Sequence, residues 1–376
     1  MHILLIPDKF KGSLTAEELI NALVKGIKKA KKNSTIESII ASDGGEGFIK
    51  AVSKFNDLST INIPTLNSIG QKINAIYAIN TTKKIAYVEL AKASGLELLH
   101  KNEYNVIKGS TFGTGLQIKD AIKRGATKIF IGLGGSATND AGIGIAFALG
   151  YKFLDAKNCE LFPTGEKLSL ISKIIPPKDK LYKDVVFYAV NDVTNILFGK
   201  RGAAYVYAKQ KGAIKKEILF LDSGLKHLNN VVKRFYGKDF SQIEGTGAAG
   251  GTAYGLKVFF DAKFISGADF ILNQNTYLQS VKKNKIDLII TGEGKLDQQT
   301  LQGKLVCGVA NWAKKYKIPV VAICGKNTLS NQSAEKLNLL KIIEISDKTK
   351  SIDYNMKHAE KLVKKAIFEF IKQHNP

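Results

Sequence analysis

Apolar runs of strand length alternate with amphipathic helical stretches at both ends of the chain. Residues 3–6 predict a first strand, and the apolar positions within 19–27 recur at helical spacing, which predicts a helix. Thr15 and Glu18 form a capping-box pattern ahead of that helix, in which their side chains satisfy free backbone N–H groups. This alternation is typical of a parallel sheet covered by helices on both faces. The predicted strands lie at 3–6, 36–40, 286–290, 320–323 and 342–345.

The middle of the chain has a different pattern. Residues 61–79 and 86–90 alternate between apolar and polar positions, as antiparallel strands do, and residues 151–158 continue in that style. We therefore predict that a second, mixed α/β domain is inserted into the first. The predicted parallel-sheet domain is discontinuous, with residues 1–62 and 265–376, and the predicted inserted domain covers residues 63–264.

Length and composition agree with this organisation. The 376 residues are too many for one ordinary core, and 44% of them are hydrophobic, which suffices for two α/β cores. No apolar stretch approaches the roughly 18 residues of a membrane span, and no signal-peptide pattern is present, so we expect a cytoplasmic protein without a membrane partner. The three cysteines lie far apart, which fits neither a disulfide framework nor a zinc knuckle and predicts buried reduced thiols.

The net charge of +23 raises the hypothesis that the protein binds nucleic acid. Almost all of the basic residues are lysines, with arginine only at positions 124, 201 and 234, whereas specific base and phosphate recognition usually involves arginine. The lysines are spread over predicted helix faces. We therefore interpret them as solvated surface and predict no nucleic-acid partner, although the charge attracts small anions.

Four glycine-rich segments follow predicted strands, and each of them carries carboxylates or hydroxyls. In an open parallel sheet the carboxyl ends of the strands form the ligand crevice, and helix N-termini there suit phosphate or carboxylate groups. We expect the four segments to form one site, whereas turn chemistry alone is the alternative for any single segment. The segments are 7–13, 43–47, 132–142 and 291–297.

The charged side chains of these segments and their surroundings suit phosphoryl transfer. Carboxylates are hard oxygen ligands for Mg²⁺, and basic side chains can neutralise a transferred phosphate, so the pairing of the two predicts a kinase-type reaction. The candidate carboxylates are Asp8, Asp43, Glu46, Asp140, Glu293 and Asp297. The candidate cations are Lys11, Lys295, Lys304 and Arg201.

The nucleotide-binding motif is of no familiar type. A Walker A sequence is absent, and residues 245–250 match G-x-G-x-x-G but follow a poor strand pattern, far from an opening βαβ unit. A dinucleotide-dependent oxidoreductase is therefore a weak alternative. We favour a glycine-lined helix start that faces a ligand.

Six motifs follow one another along the chain: 7–13 (PDKFKGS), 42–47 (SDGGEG), 132–140 (GLGGSATND), 191–195 (NDVTN), 247–251 (GAAGG) and 291–297 (TGEGKLD). Together they resemble the bacterial glycerate kinase family, of the glycerate 2-kinase type, over nearly the whole chain and in the family's order and spacing. The resemblance implies ATP- and Mg²⁺-dependent phosphorylation of D-glycerate to 2-phosphoglycerate, or alternatively to 3-phosphoglycerate. It also implies two α/β domains, one flavodoxin- or Rossmann-like and one inserted, with the active site in the cleft between them.

Roles in such a reaction can be given to particular residues. A carboxylate must orient or deprotonate the attacking hydroxyl, and we predict Asp192, with Asp43 as the second choice; an Asx turn is the alternative role for Asp192. Lys11 completes the predicted catalytic set. Glu293 and Asp297 are predicted to bind Mg²⁺ or its waters, with helix capping as the alternative for Asp297. The predicted substrate- and phosphate-binding residues are Asp8, Ser13, Gly134, Gly135, Ser136, Thr138, Asn139, Arg201, Gly247, Gly250 and Lys295.

The expected partners are D-glycerate and a nucleotide, and the expected assembly is a monomer or a homodimer. Arg201 has a surface salt bridge as its alternative role. A non-catalytic hydroxy-acid sensor on the same fold would have the same sequence pattern, because substrate binding without turnover needs the same residues.

Overall fold

A computed structural model describes residues 1–40, 44–45, 47–53, 56–274, 286–298, 300–302 and 305–374. The chain divides into two compact units, of which the first consists of Met1–Ser42 and Ser266–Pro376 and the second of Asp43–Ile265.

The strands and helices alternate along most of the chain. The strands are β1 (His2–Pro7), β2 (Thr35–Ser38), β3 (Ser59–Leu66), β4 (Lys72–Asn80), β5 (Ile85–Glu89), β6 (Lys128–Gly132), β7 (Lys152–Leu154), β8 (Lys173–Ile175), β9 (Val186–Val190), β10 (Lys263–Ile265), β11 (Leu288–Leu296), β12 (Val320–Asn327) and β13 (Lys341–Glu344). The α-helices are α1 (Ala16–Ala30), α2 (Phe48–Ser53), α3 (Ala91–Ser94), α4 (Phe112–Lys123), α5 (Ile143–Ala148), α6 (Ala203–Tyr207), α7 (Lys215–Tyr236), α8 (Ala248–Phe260), α9 (Gly267–Gln274), α10 (Leu305–Lys315), α11 (Asn331–Lys336), α12 (Ile352–Lys357) and α13 (Ala359–Gln373). Short 3-10 helices cover Leu96–Leu98, Lys101–Glu103, Gly165–Leu170, Lys209–Lys211 and Thr300–Gln302.

The first unit contains a parallel sheet with the strand order β2-β1-β11-β12-β13. Counted within this sheet alone, the order is 2-1-3-4-5, which is the order of flavodoxin-like folds. The second unit is inserted between the second and third of these strands. The predicted α/β class, with a flavodoxin-like sheet and an insertion, is confirmed.

Helix α1 begins and packs as its sequence predicts. The Thr15 hydroxyl accepts a hydrogen bond from Glu18 N at 3.2 Å, and the Glu18 carboxylate accepts one from Thr15 N at 2.8 Å, which completes the capping box. The buried face of the helix packs on the sheet and on α13. At Gly26 an added Cβ would lie 2.3 Å from a methyl group of Ile367, so only glycine allows the two helices to approach this closely.

The second unit contains a mixed sheet with the strand order β3-β4-β5-β6-β9-β10. Strands β3, β4 and β5 pair in antiparallel fashion, whereas β5, β6, β9 and β10 pair in parallel. Strands β7 and β8 form a separate antiparallel pair. The antiparallel style that the alternation at 61–79, 86–90 and 151–158 indicates is therefore present.

The division between the units differs from the predicted limit near residue 63. That position lies inside β3, which pairs with β4 from Ser59 to Leu66. Because the whole of β3 belongs to the mixed sheet, the division falls before it, after residue 42.

Two further expectations need correction. The segment 291–297 is predicted as a loop after a strand, but β11 continues through Leu296 because it stays paired with β12 as far as Asn327. The thiols are predicted to be buried, but only Cys324 is, whereas Cys159 is exposed. The cysteines are free, as expected.

The described part of the chain contains no helix with the length and apolar character that a membrane span requires.

Candidate active site

Three neighbouring parallel strands of the second unit end side by side. Glu89 at the end of β5 pairs with Gly132 at the end of β6, and Gly132 pairs with Val190 at the end of β9. The segments that follow these strands therefore begin at one edge of the sheet. This edge, at the carboxyl ends of parallel strands, is where ligands bind in open α/β sheets.

Glu89 is a buried carboxylate at this edge. It is 0% exposed and accepts hydrogen bonds from the backbone N–H groups of Gly47, at 3.2 Å, and Ile49, at 3.1 Å. Lys92 lies 3.5 Å from its carboxylate. Burial raises the pKa of Glu89, and the two backbone donors and Lys92 oppose that rise. Glu89 thus fixes the start of α2 beside the strand ends.

Close backbone contacts explain the glycines at the start of the 132–142 loop. Gly134 N donates a hydrogen bond to Gly44 O at 2.9 Å, and Leu133 N donates one to Val190 O at 3.1 Å. A Cβ at Gly134 would lie 2.2 Å from Gly45 Cα, so a larger residue would separate the two glycine-rich segments. Gly135 has a φ of 71°, in the left-handed region that favours glycine.

The middle of the same loop holds buried polar groups around a lysine. Lys211 Nζ donates hydrogen bonds to Ser136 Oγ and to Thr138 O, each at 2.7 Å. Thr138 and Asn139 are both 0% exposed. Among the described residues, the Thr138 hydroxyl and both polar atoms of the Asn139 side chain have no hydrogen-bond partner. Burying polar atoms without hydrogen-bond partners costs free energy. In a ligand-binding loop, the bound ligand supplies the missing partners.

Asp140 has a structural role, which corrects its place among the candidate Mg²⁺ ligands. It is 0% exposed and accepts four hydrogen bonds, from the Thr111 N and Oγ1 atoms at 2.8 and 2.7 Å and from Gly142 N and Gly144 N at 3.2 Å each. Burial raises its pKa, and these four donors oppose that rise. The carboxylate therefore ties the loop to the segment before α4, and its oxygen atoms are used.

The G-x-G-x-x-G segment packs against this loop. Ala249, Gly250 and Gly251 have φ values of 53°, 65° and 84°, a left-handed turn inside α8. A Cβ at Gly250 would lie 2.0 Å from Thr138 O, and Ala141 N donates a hydrogen bond to Gly250 O at 3.1 Å. Residues 241–247 before it form turns, so the strand that a dinucleotide-binding motif requires does not precede it.

Gly247, the other predicted binding glycine of this segment, is also a packing position. A Cβ there would lie 2.4 Å from Ile196 O. The structure thus accounts for Gly247 and Gly250 by close approach of backbones within the second unit.

Asp192 follows β9 and is half-buried. The turn that ends the strand is closed by its neighbour, because Asn191 Oδ1 accepts a hydrogen bond from Val193 N at 3.3 Å. Asn191 thus makes an Asx turn of its own, and both roles considered for Asp192, the base and the Asx turn, stay predictions. Arg201 is exposed, and its carbonyl oxygen accepts a hydrogen bond from Asn195 Nδ2 at 2.9 Å.

In the first unit, the predicted residues gather at the carboxyl end of β1 and along β11. Asp8 N donates a hydrogen bond to Gly292 O at 2.8 Å, and an added Cβ on Gly294 would lie 3.4 Å from Lys11 N, so the two segments are in contact. Lys11 is exposed. Ser13 Oγ donates to Met356 O at 2.8 Å, which gives this hydroxyl a structural partner.

Glu293, Lys295 and Asp297 form a small charged cluster. Thr300 Oγ1 donates a hydrogen bond to Glu293 Oε1 at 2.5 Å and accepts one from Asp297 N at 3.1 Å. Lys295 Nζ lies 3.2 Å from Asp297 Oδ2. The bond from Asp297 N to Thr300 Oγ1 is the kind that a capping box makes at a helix start, so the helix-capping alternative for Asp297 stays a prediction. The cluster offers carboxylate oxygens, the ligands that Mg²⁺ prefers.

The predicted residues therefore lie in two groups, one in each unit. Asp43, Glu46 and Lys304 lie outside the described residues. Whether the two groups form one site stays a prediction. Within 1–40, 44–45, 47–53, 56–274, 286–298, 300–302 and 305–374, no three His, Cys, Asp or Glu side chains gather as a set of metal ligands.

Sequence reasoning missed Glu89 and Lys211. Glu89 could have been found, because a carboxylate directly after the apolar strand pattern 85–88 has the same placement as the chosen acids. Lys211 carries no local signal, since its hydrogen-bond partners lie 75 and 73 residues earlier in the chain.

Comparison with known proteins gives one consistent result. The model of the glycerate kinase family matches residues 3–375. A protein named glycerate kinase from Halalkalibacterium halodurans is 36% identical over 365 residues, which are 97% of this chain and 96% of the relative. A protein named glycerate 2-kinase from Escherichia coli is 37% identical over 329 residues, 87% of this chain and 86% of the relative.

A solved structure agrees with the sequence comparisons. The crystal structure of a Salmonella typhimurium LT2 protein, assigned as glycerate kinase 2, matches with a TM-score of 0.78 at 31% identity. The match covers 99% of this chain and 98% of that chain.

Proposed function

This chain belongs to the glycerate kinase family, and from that premise we propose that it transfers the γ-phosphoryl group of ATP to the 2-hydroxyl of D-glycerate. The products are 2-phosphoglycerate and ADP. The E. coli relative, which is named a glycerate 2-kinase, supports the 2-hydroxyl as the acceptor.

The observation that carries the proposal is the loop 134–140 at the carboxyl edge of the mixed sheet. Its backbone is held by Gly44, by Lys211 and by the G-x-G-x-x-G segment, and it buries polar side-chain atoms of Thr138 and Asn139 without partners among the described residues. Both substrates of a glycerate kinase are anions, a carboxylate and a polyphosphate. A rigid loop with hydrogen-bond donors beside a lysine is suited to hold an anionic oxygen.

The reaction needs little covalent chemistry from the protein. The 2-hydroxyl oxygen attacks the γ-phosphorus, the bond from that phosphorus to the bridging oxygen breaks, and ADP leaves with the electron pair. Asp192 accepts the proton that the hydroxyl loses, with Asp43 as the second candidate. Lys11 and Lys295 neutralise negative charge on the phosphate oxygens, and Arg201 remains a candidate for the substrate carboxylate.

Mg²⁺ is the cofactor expected for this reaction, and the cluster around Thr300 fits it. Kinases hold Mg²⁺ through one or two carboxylates together with the phosphates of the nucleotide, so a large set of protein ligands is not needed. Glu293 and Asp297 supply the carboxylates. When bound there, the ion would neutralise charge on the phosphates that this reaction rearranges.

The test is a ³¹P NMR time course of the purified protein with ATP, Mg²⁺ and D-glycerate. We expect a new signal of 2-phosphoglycerate that grows as ATP is consumed and that disappears when EDTA replaces Mg²⁺. L-glycerate serves as the matched control substrate. A 3-phosphoglycerate signal would contradict the acceptor position but retain the kinase activity. Folded protein that binds D-glycerate without forming any product would refute catalysis and favour a sensor.

A further inference from the structure

Lys211 is buried in the second unit. It is 3% exposed and ends the short 3-10 helix Lys209–Lys211. Among the lysines that the structure describes, it is the one in the buried class, whereas its neighbour Lys209 is exposed. Burying an amino group is costly unless hydrogen bonds and charges compensate, so this placement calls for a physical reason.

Both hydrogen bonds of Lys211 go to the loop 134–140. Its Nζ atom donates to Ser136 Oγ and to Thr138 O, which lie on either side of Ala137. The two bonds fix the side chain of one residue and the backbone of another. Thr138 and Asn139, whose buried side-chain atoms have no partner among the described residues, directly adjoin this clamp.

The bond to Ser136 leaves that hydroxyl ready to donate. A hydroxyl has one hydrogen to donate and two lone pairs that accept, and Lys211 occupies one of the lone pairs. The hydrogen of Ser136 Oγ is therefore free to point to another acceptor, and hydrogen bonding from an amino group makes it a stronger donor. An anionic oxygen is the acceptor that gains most from this arrangement.

Charge supports the same conclusion. Asp140 is a buried carboxylate in the same loop, and by itself it would repel an anion. Burial lowers the pKa of Lys211 to about 7, and the charge of Asp140 opposes this. A neutral amine still has two hydrogens for its two bonds, and an anion bound nearby favours the ammonium form with a third donor.

We propose that Lys211 is a positioning residue that holds Ser136 and Thr138 in place so that the loop 134–140 binds an anionic group of a substrate. The proposal rests on the proposed glycerate kinase function, which supplies two such groups, the carboxylate of D-glycerate and the phosphates of the nucleotide. The shared chemistry is an oxyanion that accepts hydrogen bonds from the loop. Direct binding measurements distinguish the two sources.

The test uses the full-length protein with the substitution Lys211→Met, which keeps an unbranched side chain one heavy atom shorter and removes the donors and the charge. Lys209→Met is the matched control, because it makes the same change on the same short helix at an exposed position. Isothermal titration calorimetry measures the affinity for D-glycerate and, separately, for ADP with Mg²⁺. Steady-state kinetics of each variant give kcat and both KM values.

We expect Lys211→Met to weaken one of the two ligands by about ten- to a hundredfold, the range that a charge-assisted hydrogen bond contributes, and to change the other less than twofold. Lys209→Met should leave both within twofold. Weaker D-glycerate binding identifies the carboxylate as the occupant, and weaker ADP binding identifies a phosphate. A general loss of structure would lower both affinities and kcat together.

Two results would overturn the proposal. One is a Lys211→Met protein with normal circular dichroism that binds both ligands as the wild type does. If that variant does not fold, Ser136→Ala removes the clamped hydroxyl alone, and unchanged affinities in Ser136→Ala would overturn it equally. Because binding is measured without turnover, a wild-type protein that binds but does not react contradicts the kinase proposal and leaves the clamp testable. A wild type that binds neither ligand contradicts both.

Discussion

The hydrogen bonds of Asp140 give a graded prediction for stability. Its Oδ2 atom accepts three bonds, from Thr111 N, Thr111 Oγ1 and Gly144 N, and its Oδ1 atom accepts one from Gly142 N. In Asp140→Asn, the amide oxygen can occupy the Oδ2 position and keep three bonds. The amide nitrogen then faces the N–H of Gly142, which loses its acceptor.

The expected cost follows from this count. One buried donor without an acceptor costs about 1–3 kcal/mol. Loss of the carboxylate charge beside Lys211 adds a smaller amount, because burial already lowers the pKa of Lys211 to about 7 and the amine can lose its proton. We expect Asp140→Asn to cost about 2–4 kcal/mol in total, a large part of the roughly 5–15 kcal/mol that stabilises a typical domain. Asp140→Ala removes every acceptor at once and should cost more.

Urea denaturation followed by circular dichroism measures these differences. Asp179→Asn is the control, since Asp179 is exposed and the same chemical change there should shift the free energy of unfolding by less than about 0.5 kcal/mol. The expected order of destabilisation is Asp179→Asn, then Asp140→Asn, then Asp140→Ala. An Asp140→Asn protein as stable as Asp179→Asn would refute the assigned hydrogen bonds.

Three other predictions follow from the same elements. Asp192→Asn should lower kcat at least about a hundredfold without loss of stability. Asp184→Asn, at an exposed position just before β9, should leave kcat unchanged, and initial rates of ADP release measure both. Gly250→Ala should destabilise more than Gly237→Ala in thermal unfolding, because both have left-handed φ values but only an added methyl at Gly250 meets backbone, at 2.0 Å, and equal costs would contradict the packing. The difference in unfolding free energy between the wild type and Lys211→Met should rise in favour of the wild type from about pH 7 to pH 9.5. In this range the unfolded lysine binds a proton that the folded lysine, with a pKa of about 7, has lost. A difference that does not change with pH would contradict the buried amine.

Local signals in the sequence were sufficient for most of the fold. The capping box of Thr15 and Glu18 and the apolar spacing behind it lie within one helix, so they report directly on α1. The switch to alternating apolar and polar positions at 61–79 similarly reports on β3 and β4, whose partners are adjacent in the chain. Features that depend on distant pairing were harder to predict. Strand β11 runs on to Leu296 because β12, some thirty residues later, remains beside it.

The roles of the candidate site residues were harder to predict than the fold, because one residue type can be structural at one position and a candidate for catalysis at another. Asp140 and Asp192 both follow parallel strands near glycines or asparagines, and no local pattern distinguishes their roles. The structure separates them by burial, since Asp140 is 0% exposed and saturated by four donors, whereas Asp192 is half-buried beyond a turn that Asn191 closes.

Ala141 and Ala249 have backbone conformations that depend on tertiary contacts. Alanine disfavours the left-handed region, yet these residues have φ values of 53° each, at a cost of about 1 kcal/mol apiece. No local pattern predicts this conformation. The two strained turns face each other, joined by the hydrogen bond from Ala141 N to Gly250 O, so each turn is held by the other. Because Lys211 also fixes this loop through Ser136 and Thr138, the shape of the loop 134–140 depends on tertiary contacts more than on its own sequence. Substitutions of Lys211 or in residues 248–251 should therefore change ligand affinity even where they touch no ligand.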